Sequence, residues 1–241
     1  MKEEIDILLY MGCMIRLRLP SIRDAVLRVL RAGQAKFKLL EDEVCCGDLL
    51  FLMGRREEAE KVAQRLMSKI MDAHVDTIVT PCAGCYRALT REYPNLFDFN
   101  LNVLHLSEYL AYLIRDGKLS FKEGNKIRVS YHDPCELGRH CGVYEAPREV
   151  IKALPGIELV EAEASKEDSR CCGGGGGVLL SYPELSIAGA YNRIMRDIMP
   201  LNVQALVTAC PACYISFSYA IERYELNLKL YDLAELVSLY I

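Results

Sequence analysis

The chain has 241 residues, 51% of them hydrophobic, and a formal net charge of -4. That length suits one large domain or two of ordinary size, and an acidic balance without a basic run excludes a nucleic-acid partner, which leaves a positive footprint. No stretch approaches the roughly 18 uncharged apolar residues of a transmembrane helix, and "MKEEIDILLY" carries acids where a signal peptide needs basic residues, so a cytoplasmic chain is expected.

The elements follow in order. "IDILLYMGC" (5–13) is an apolar run that predicts a buried strand ending at Cys13. "SIRDAVLRVLRAG" (21–33) has helical spacing, with Ser21 as the N-cap candidate after Pro20 and glycine at its end. "KFKLL" (36–40) reads as strand, 55–74 as a long amphipathic helix with a solvated charged face, and "TIVTPC" (77–82) as a strand running into Cys82. "VLHL" (103–106) is a strand, followed by a helix from Ser107.

After a charged, glycine-containing seam at 114–126 the order returns. "KIRVSYHDPC" (126–135) predicts a strand ending at Cys135, "APREVIKAL" (146–154) a helix and "IELVE" (157–161) a strand. "ELSIAGAYNRIMRDIM" (184–199) predicts a helix, "QALVTAC" (204–210) a strand into Cys210, "LNLKLY" (226–231) a last strand and "LAELVSLY" (233–240) a last helix. Alternating strands and helices imply mainly parallel sheets. The expected fold class is α/β: two tandem, similar Rossmann-like units, residues 1–122 and 123–241, with cysteines at the C-terminal ends of strands.

The cysteines repeat with the elements. Cys13, Cys45-Cys46 and Cys82-x-x-Cys85 match Cys135, Cys171-Cys172 and Cys210-x-x-Cys213, and each doublet precedes a glycine. "VTPCAGCYRAL" (79–89) returns as "VTACPACYISF" (207–217), and "LHLSEYL" (104–110) as "YDLAELV" (231–237). This is a tandem duplication of about 120 residues per copy. Clustered cysteines in a reducing compartment point to metal or redox chemistry rather than disulfides. A zinc site takes four ligands, so five sulfurs with an adjacent pair suit a larger, multi-iron group better. Zinc in the first repeat remains the alternative, because Gly47 is followed by "DLLFLMG" and not by a glycine run. The run at 173–177 is not a phosphate loop, since no Lys-Ser/Thr follows it.

With all ten of these cysteines in place, the sequence resembles the CCG-domain (cysteine-rich domain) proteins over nearly its whole length, and most of all the B subunit of heterodisulfide reductase. "YHDPCELGRHCGVYEAPREV" and "CCGGGGG" also resemble the wider branch, which includes the D subunit of that enzyme and the iron–sulfur subunits of glycolate and lactate oxidation. The resemblance implies two noncubane [4Fe-4S] clusters. One would be held by Cys13, Cys45, Cys46, Cys82 and Cys85, the other by Cys135, Cys171, Cys172, Cys210 and Cys213. Gly47, Gly173 and Gly174 are the expected cofactor-binding backbone positions, through close approach and N–H groups. The implied reaction is reduction or formation of a disulfide, with a disulfide or thiol small molecule as substrate. The alternative is a non-catalytic electron-transfer subunit of a lactate- or glycolate-type flavin dehydrogenase.

The chain lacks a CxxCxxCxxxCP segment, so electrons are expected from another polypeptide. The implied partners are a ferredoxin-like iron–sulfur C subunit and a flavoprotein A subunit, with any membrane association made through them. Cys141 has no counterpart in the first copy and reads as a buried structural cysteine. His132 reads as a local structural contact, with a proton or hydrogen bond given near the cluster as the alternative; it is not assigned catalysis. His140 is the second histidine flanking Cys135. Packing accounts for Tyr86 and Tyr214.

Overall fold

The computed structural model describes residues 7–40 and 42–241. Its first unit contains β1 (Ile7–Leu9), α1 (Cys13–Arg18), α2 (Pro20–Ala32), β2 (Phe37–Leu39), α3 (Asp48–Leu52), α4 (Arg56–Asp72), β3 (Thr77–Thr80), α5 (Ala83–Arg87), β4 (Asn102–His105) and α6 (Leu106–Arg115). The second contains β5 (Ile127–His132), α7 (Glu145–Lys152), β6 (Ile157–Leu159), α8 (Val178–Ser181), α9 (Pro183–Arg193), β7 (Ala205–Thr208), α10 (Pro211–Arg223), β8 (Lys229–Asp232) and α11 (Leu233–Ser238).

The strands form two separate, wholly parallel sheets, ordered β2-β1-β3-β4 and β6-β5-β7-β8. This is the expected α/β class with two similar units. The central strands are apolar runs buried on both faces: Ile7, Leu8 and Leu9 in β1, and Ala205, Leu206 and Val207 in β7. In each sheet the order reverses between the first and third strands, which opens a crevice at their C-terminal ends. Cys13 and Cys82 follow the two strands at the first crevice, Cys135 and Cys210 those at the second.

The units face each other about an approximate twofold. Helix α2 packs on α11, and its counterpart α7 packs on α6. Helices α6 and α11 begin with matching capping boxes, His105 with Glu108 and Asp232 with Glu235. The intervening segment lies against the C-terminal helix, where the Lys122 N–H donates to the Tyr240 carbonyl at 2.8 Å.

Three local expectations change. The strands stop short of the cysteines: β1 ends at Leu9, because Tyr10–Gly12 turns into α1, and Ile5 and Asp6 lie outside the described residues. Ser21 does not cap α2; Pro20 occupies the first helical turn, where its missing N–H is harmless, and Leu19 stands at the cap. The helix predicted to 199 leaves α-geometry after Arg193 for a π-helical turn, Ile194–Ile198. Among the described residues no helix is long and apolar enough to cross a membrane.

Candidate metal centres

Each repeat gathers its five cysteines at its crevice. In the first, the sulfurs of Cys13 and Cys45 lie 4.0 Å apart and those of Cys46 and Cys85 3.4 Å apart. The Cys85 N–H donates to Cys82 Sγ at 3.4 Å, which ties the two ends of the CxxC turn. In the second, the sulfurs of Cys172 and Cys213 are 3.0 Å apart. None of the eleven cysteines is in a disulfide. The doublets solve a steric problem: in each, the first cysteine faces outward and the second is buried. Cys45 is half-buried above the buried Cys46, and Cys171 is exposed above the buried Cys172.

The backbone after each doublet turns its N–H groups onto the sulfurs. Gly47 N–H donates to Cys45 Sγ at 3.4 Å, Gly173 N–H to Cys171 Sγ at 3.3 Å and Gly174 N–H to Cys172 Sγ at 3.4 Å. As bare thiols, Cys13 donates to Cys45 and Cys135 to Cys171, which lowers the pKa of each acceptor and raises that of each donor. Cys85 and Cys213 are pushed up, first by hydrogen bonds to neighbouring sulfurs and then by burial. Five thiols packed this closely resist joint ionisation unless a cation joins them.

The loops that carry the cysteines are fixed by buried ions that sequence reasoning missed. Glu43 accepts from the N–H groups of Met11 at 2.8 Å and Gly12 at 2.9 Å, just ahead of Cys13. Gly12 has φ +80, and a side chain there would strike Cys85 Sγ at 2.9 Å. In the second repeat Arg148, 2% exposed, grips both oxygens of Asp133 at 2.7 and 2.8 Å, two residues before Cys135. Arg16 donates to the Glu43 carbonyl at 2.9 Å and Arg139 to the Ser169 carbonyl at 2.6 Å, so both doublet loops hang from an arginine.

A cavity of about 190 Å³ separates the repeats. All five cysteines of the first set line it; of the second set only Cys210 reaches it. Its far wall is the glycine run, Gly174–Gly177, with Leu179, Leu180 and Pro211. The glycines have different reasons for lacking side chains. A Cβ on Gly174 would press the Ala212 carbonyl at 2.7 Å, whereas one on Gly175 would meet nothing within 4 Å. The run thus serves its own doublet at Gly173 and Gly174, then opens space opposite the other repeat's sulfurs.

Cys141 is half-buried rather than buried and lies outside both sets, 3.7 Å from Thr90 Oγ1. Tyr86 packs edge-on to His105 at 5.9 Å, in line with a packing role. His140 is exposed and its carbonyl accepts from Arg91. His132 is buried beside Cys172 and Cys213.

Comparison with known proteins agrees with this geometry in its coarse features. The chain is 34% identical to the D subunit of dihydromethanophenazine:CoB–CoM heterodisulfide reductase of Methanosarcina barkeri, over 98% of this chain and 59% of that protein. It is 36% identical to the B subunit of fumarate reductase (CoM/CoB) of Methanothermobacter marburgensis, over 95% and 45%. It is 32% identical to an EtfAB:quinone oxidoreductase of Syntrophomonas wolfei, over 98% and 34%. The chain therefore spans about 60% or less of these relatives' length, and the heterodisulfide reductase relative is the D subunit, not the B subunit expected from sequence. The cysteine-rich domain model matches twice, at residues 7–90 and 129–218, so each match holds one complete five-cysteine set. The chain belongs to the CCG cysteine-rich domain family.

Proposed function

We propose that this chain is the iron–sulfur module of a heterodisulfide-reductase-like oxidoreductase, reducing or forming a disulfide in the cavity between its repeats with electrons exchanged through a partner subunit. The carrying observation is the shared cavity: five sulfurs of one set on one wall, Cys210 and the glycine run on the other. The donor sets suit thiolate-bound iron–sulfur clusters, since soft sulfur ligands select such groups and five exceed what zinc takes. Cys13, Cys45, Cys46, Cys82 and Cys85 would hold one noncubane [4Fe-4S] cluster, and Cys135, Cys171, Cys172, Cys210 and Cys213 the other. A bound cluster supplies one electron at a time.

Cleaving a disulfide consumes two electrons and two protons and releases two thiols. The chain's part is to hold the substrate sulfurs against both walls, so that neither half leaves after one electron. Leu49, Leu52, Leu179 and Leu180 give the cavity an apolar part to its lining, with Asp48 and Glu136 as its acidic groups. Gly175 leaves open space at its place in the far wall. The proposed partners are a ferredoxin-like iron–sulfur subunit and a flavoprotein.

Similarity to the Syntrophomonas wolfei EtfAB:quinone oxidoreductase favours a second reading, an electron-transfer module without a substrate of its own. The test is iron, sulfide and zinc content of anaerobically purified protein, then disulfide turnover with a reduced dye. About eight irons with turnover supports the reductase. The same iron without turnover supports the relay, and zinc with little iron removes both.

A further inference from the structure

The second cysteine set opens onto a pocket of its own. Cys171 is exposed, while the other ten cysteines are buried or half-buried. It lines a surface pocket of about 520 Å³ together with Arg170, Asn192, Arg193 and Arg196. No lining residue is acidic, and none is shared with the cavity between the repeats. Three arginines thus gather beside one sulfur in a chain whose net charge is -4.

Arg193 stands apart from the other two. It is 1% exposed, and its Nε, Nη1 and Nη2 make no hydrogen bond. Its Nη1 lies 2.8 Å from the carboxylate of Asp197, which also pairs with Arg170. A guanidinium offers five N–H donors, and burying its charge is costly unless it is both paired and hydrogen-bonded. One shared carboxylate does not meet that demand.

The first repeat buries no charge at the matching place. A Cβ on Gly47 would meet Ala59, and one on Gly173 would meet Ser186, so residues 59 and 186 correspond. Seven positions further on stand Leu66 and Arg193, both buried. Helix α4 runs unbroken to Asp72, whereas the second repeat enters its π-helical turn directly after Arg193. Such turns recur at functional sites. Leucine satisfies the packing at this place, so the arginine answers some other need.

We propose that the pocket beside Cys171 binds a doubly charged oxyanion, a phosphate group or a pair of carboxylates on a small molecule, held by Arg193 and Arg196. Three guanidiniums and one carboxylate leave two positive charges to balance. The planar fork of arginine matches such oxygens two at a time. The volume suits a small molecule better than a bare ion. The consequence for electron flow rests on the reading that the second repeat holds a metal centre. Negative charge brought to the outer face of that centre favours its oxidised form and lowers its potential. By linkage, reducing the centre weakens the anion's binding by the same factor. The first centre, with Leu66 in place of Arg193, lacks this response.

The test is calorimetric titration of the full chain with inorganic phosphate, succinate and chloride at matched ionic strength. One saturable site for phosphate or succinate is expected, with none for chloride, and the tighter of the two tells a phosphate group from paired carboxylates. Arg193→Leu, which installs the first repeat's residue, should weaken that site at least about tenfold. Arg196 is exposed, so Arg196→Gln should weaken it too without touching the core, even where Arg193→Leu fails to fold. Equal binding by wild type and Arg196→Gln, or no binding below about 10 mM, overturns the inference. In the anaerobically reconstituted chain the bound anion should lower one of two potentials in wild type and neither in Arg193→Leu. Binding with both potentials unmoved overturns the linkage. A chain that takes up no iron overturns the proposed function instead, and the calorimetry still decides the anion site.

Discussion

The guanidinium of Arg87, in the first repeat, lies 2.7 Å from the carboxylate of Glu136, the residue after Cys135 in the second. Both side chains are largely buried, and the same guanidinium also pairs with Asp48 at 3.0 Å and Glu92 at 2.8 Å. One cation thus holds three acids at the edge of the cavity and joins the two cysteine sets.

Removing that cation should be severe. Arg87→Met leaves the buried carboxylates uncompensated, and a loss of about 3–5 kcal/mol in urea unfolding is expected. Adding Glu136→Gln to that variant should recover part of the loss. No recovery would mean that Arg87 acts through its own packing and not as the counter-ion.

The matched helix caps should respond to pH in opposite ways. Burial raises Asp232 to about 8, against the opposing hydrogen bond from Ala234 N–H. Between pH 4 and 8 the folded chain then holds a proton that the unfolded chain has released, so stability falls across that range as pH rises. Asp232→Asn keeps the cap without the charge and should be more stable than wild type at pH 8 by roughly a few kcal/mol, with little difference near pH 4. Burial lowers His105 to about 3. Its contribution is present above the usual histidine range and is lost as pH falls from about 6.5 toward 3. Urea midpoints of wild type, Asp232→Asn and His105→Asn at pH 4.5, 6 and 8 check both signs.

The glycine run should separate folding from cavity access. Gly174→Ala pushes a methyl against the Ala212 carbonyl and should cost about 1–3 kcal/mol of stability. Gly175→Leu enters open space, so iron content and melting temperature should stay near wild type. Disulfide turnover should fall at least about tenfold, a barrier increase of about 1.4 kcal/mol. Unchanged turnover would place the substrate elsewhere.

The two cysteine sets should load independently. Cys46→Ser and Cys172→Ser should each remove roughly half the iron, because each breaks one set. Cys141→Ser should remove none, since Cys141 lies against Thr90 and outside both sets.

The duplication, the parallel sheets and the grouping of the cysteines were legible because they rest on local patterns: apolar runs, helical spacing and fixed cysteine intervals. Helix starts were less so, because Ser21 looks like a cap until the backbone places Pro20 in the first turn. The tie between Arg87 and Glu136 left no trace, since it spans the repeats and Ile215 stands where Arg87 would recur. The glycine run reads in the sequence as close approach and N–H groups for the doublet beside it and as room for a substrate. That this room faces the sulfurs of the other repeat is defined only by the packing of one repeat on the other. Neither the burial of His132 nor the missing partner of its Nδ1 can be seen in "YHDPC".

The reciprocal packing of α2 on α11 and of α6 on α7 is the contact of a symmetric dimer written into one chain. Two identical protomers present identical walls to whatever lies on their axis, so a ligand with unlike ends has no preferred direction there. Fusion lifts that restriction. Tyr10 and His132, or residues 48–51 and the glycines 174–177, are free to differ at matching places, and the cavity between them acquires a head and a tail.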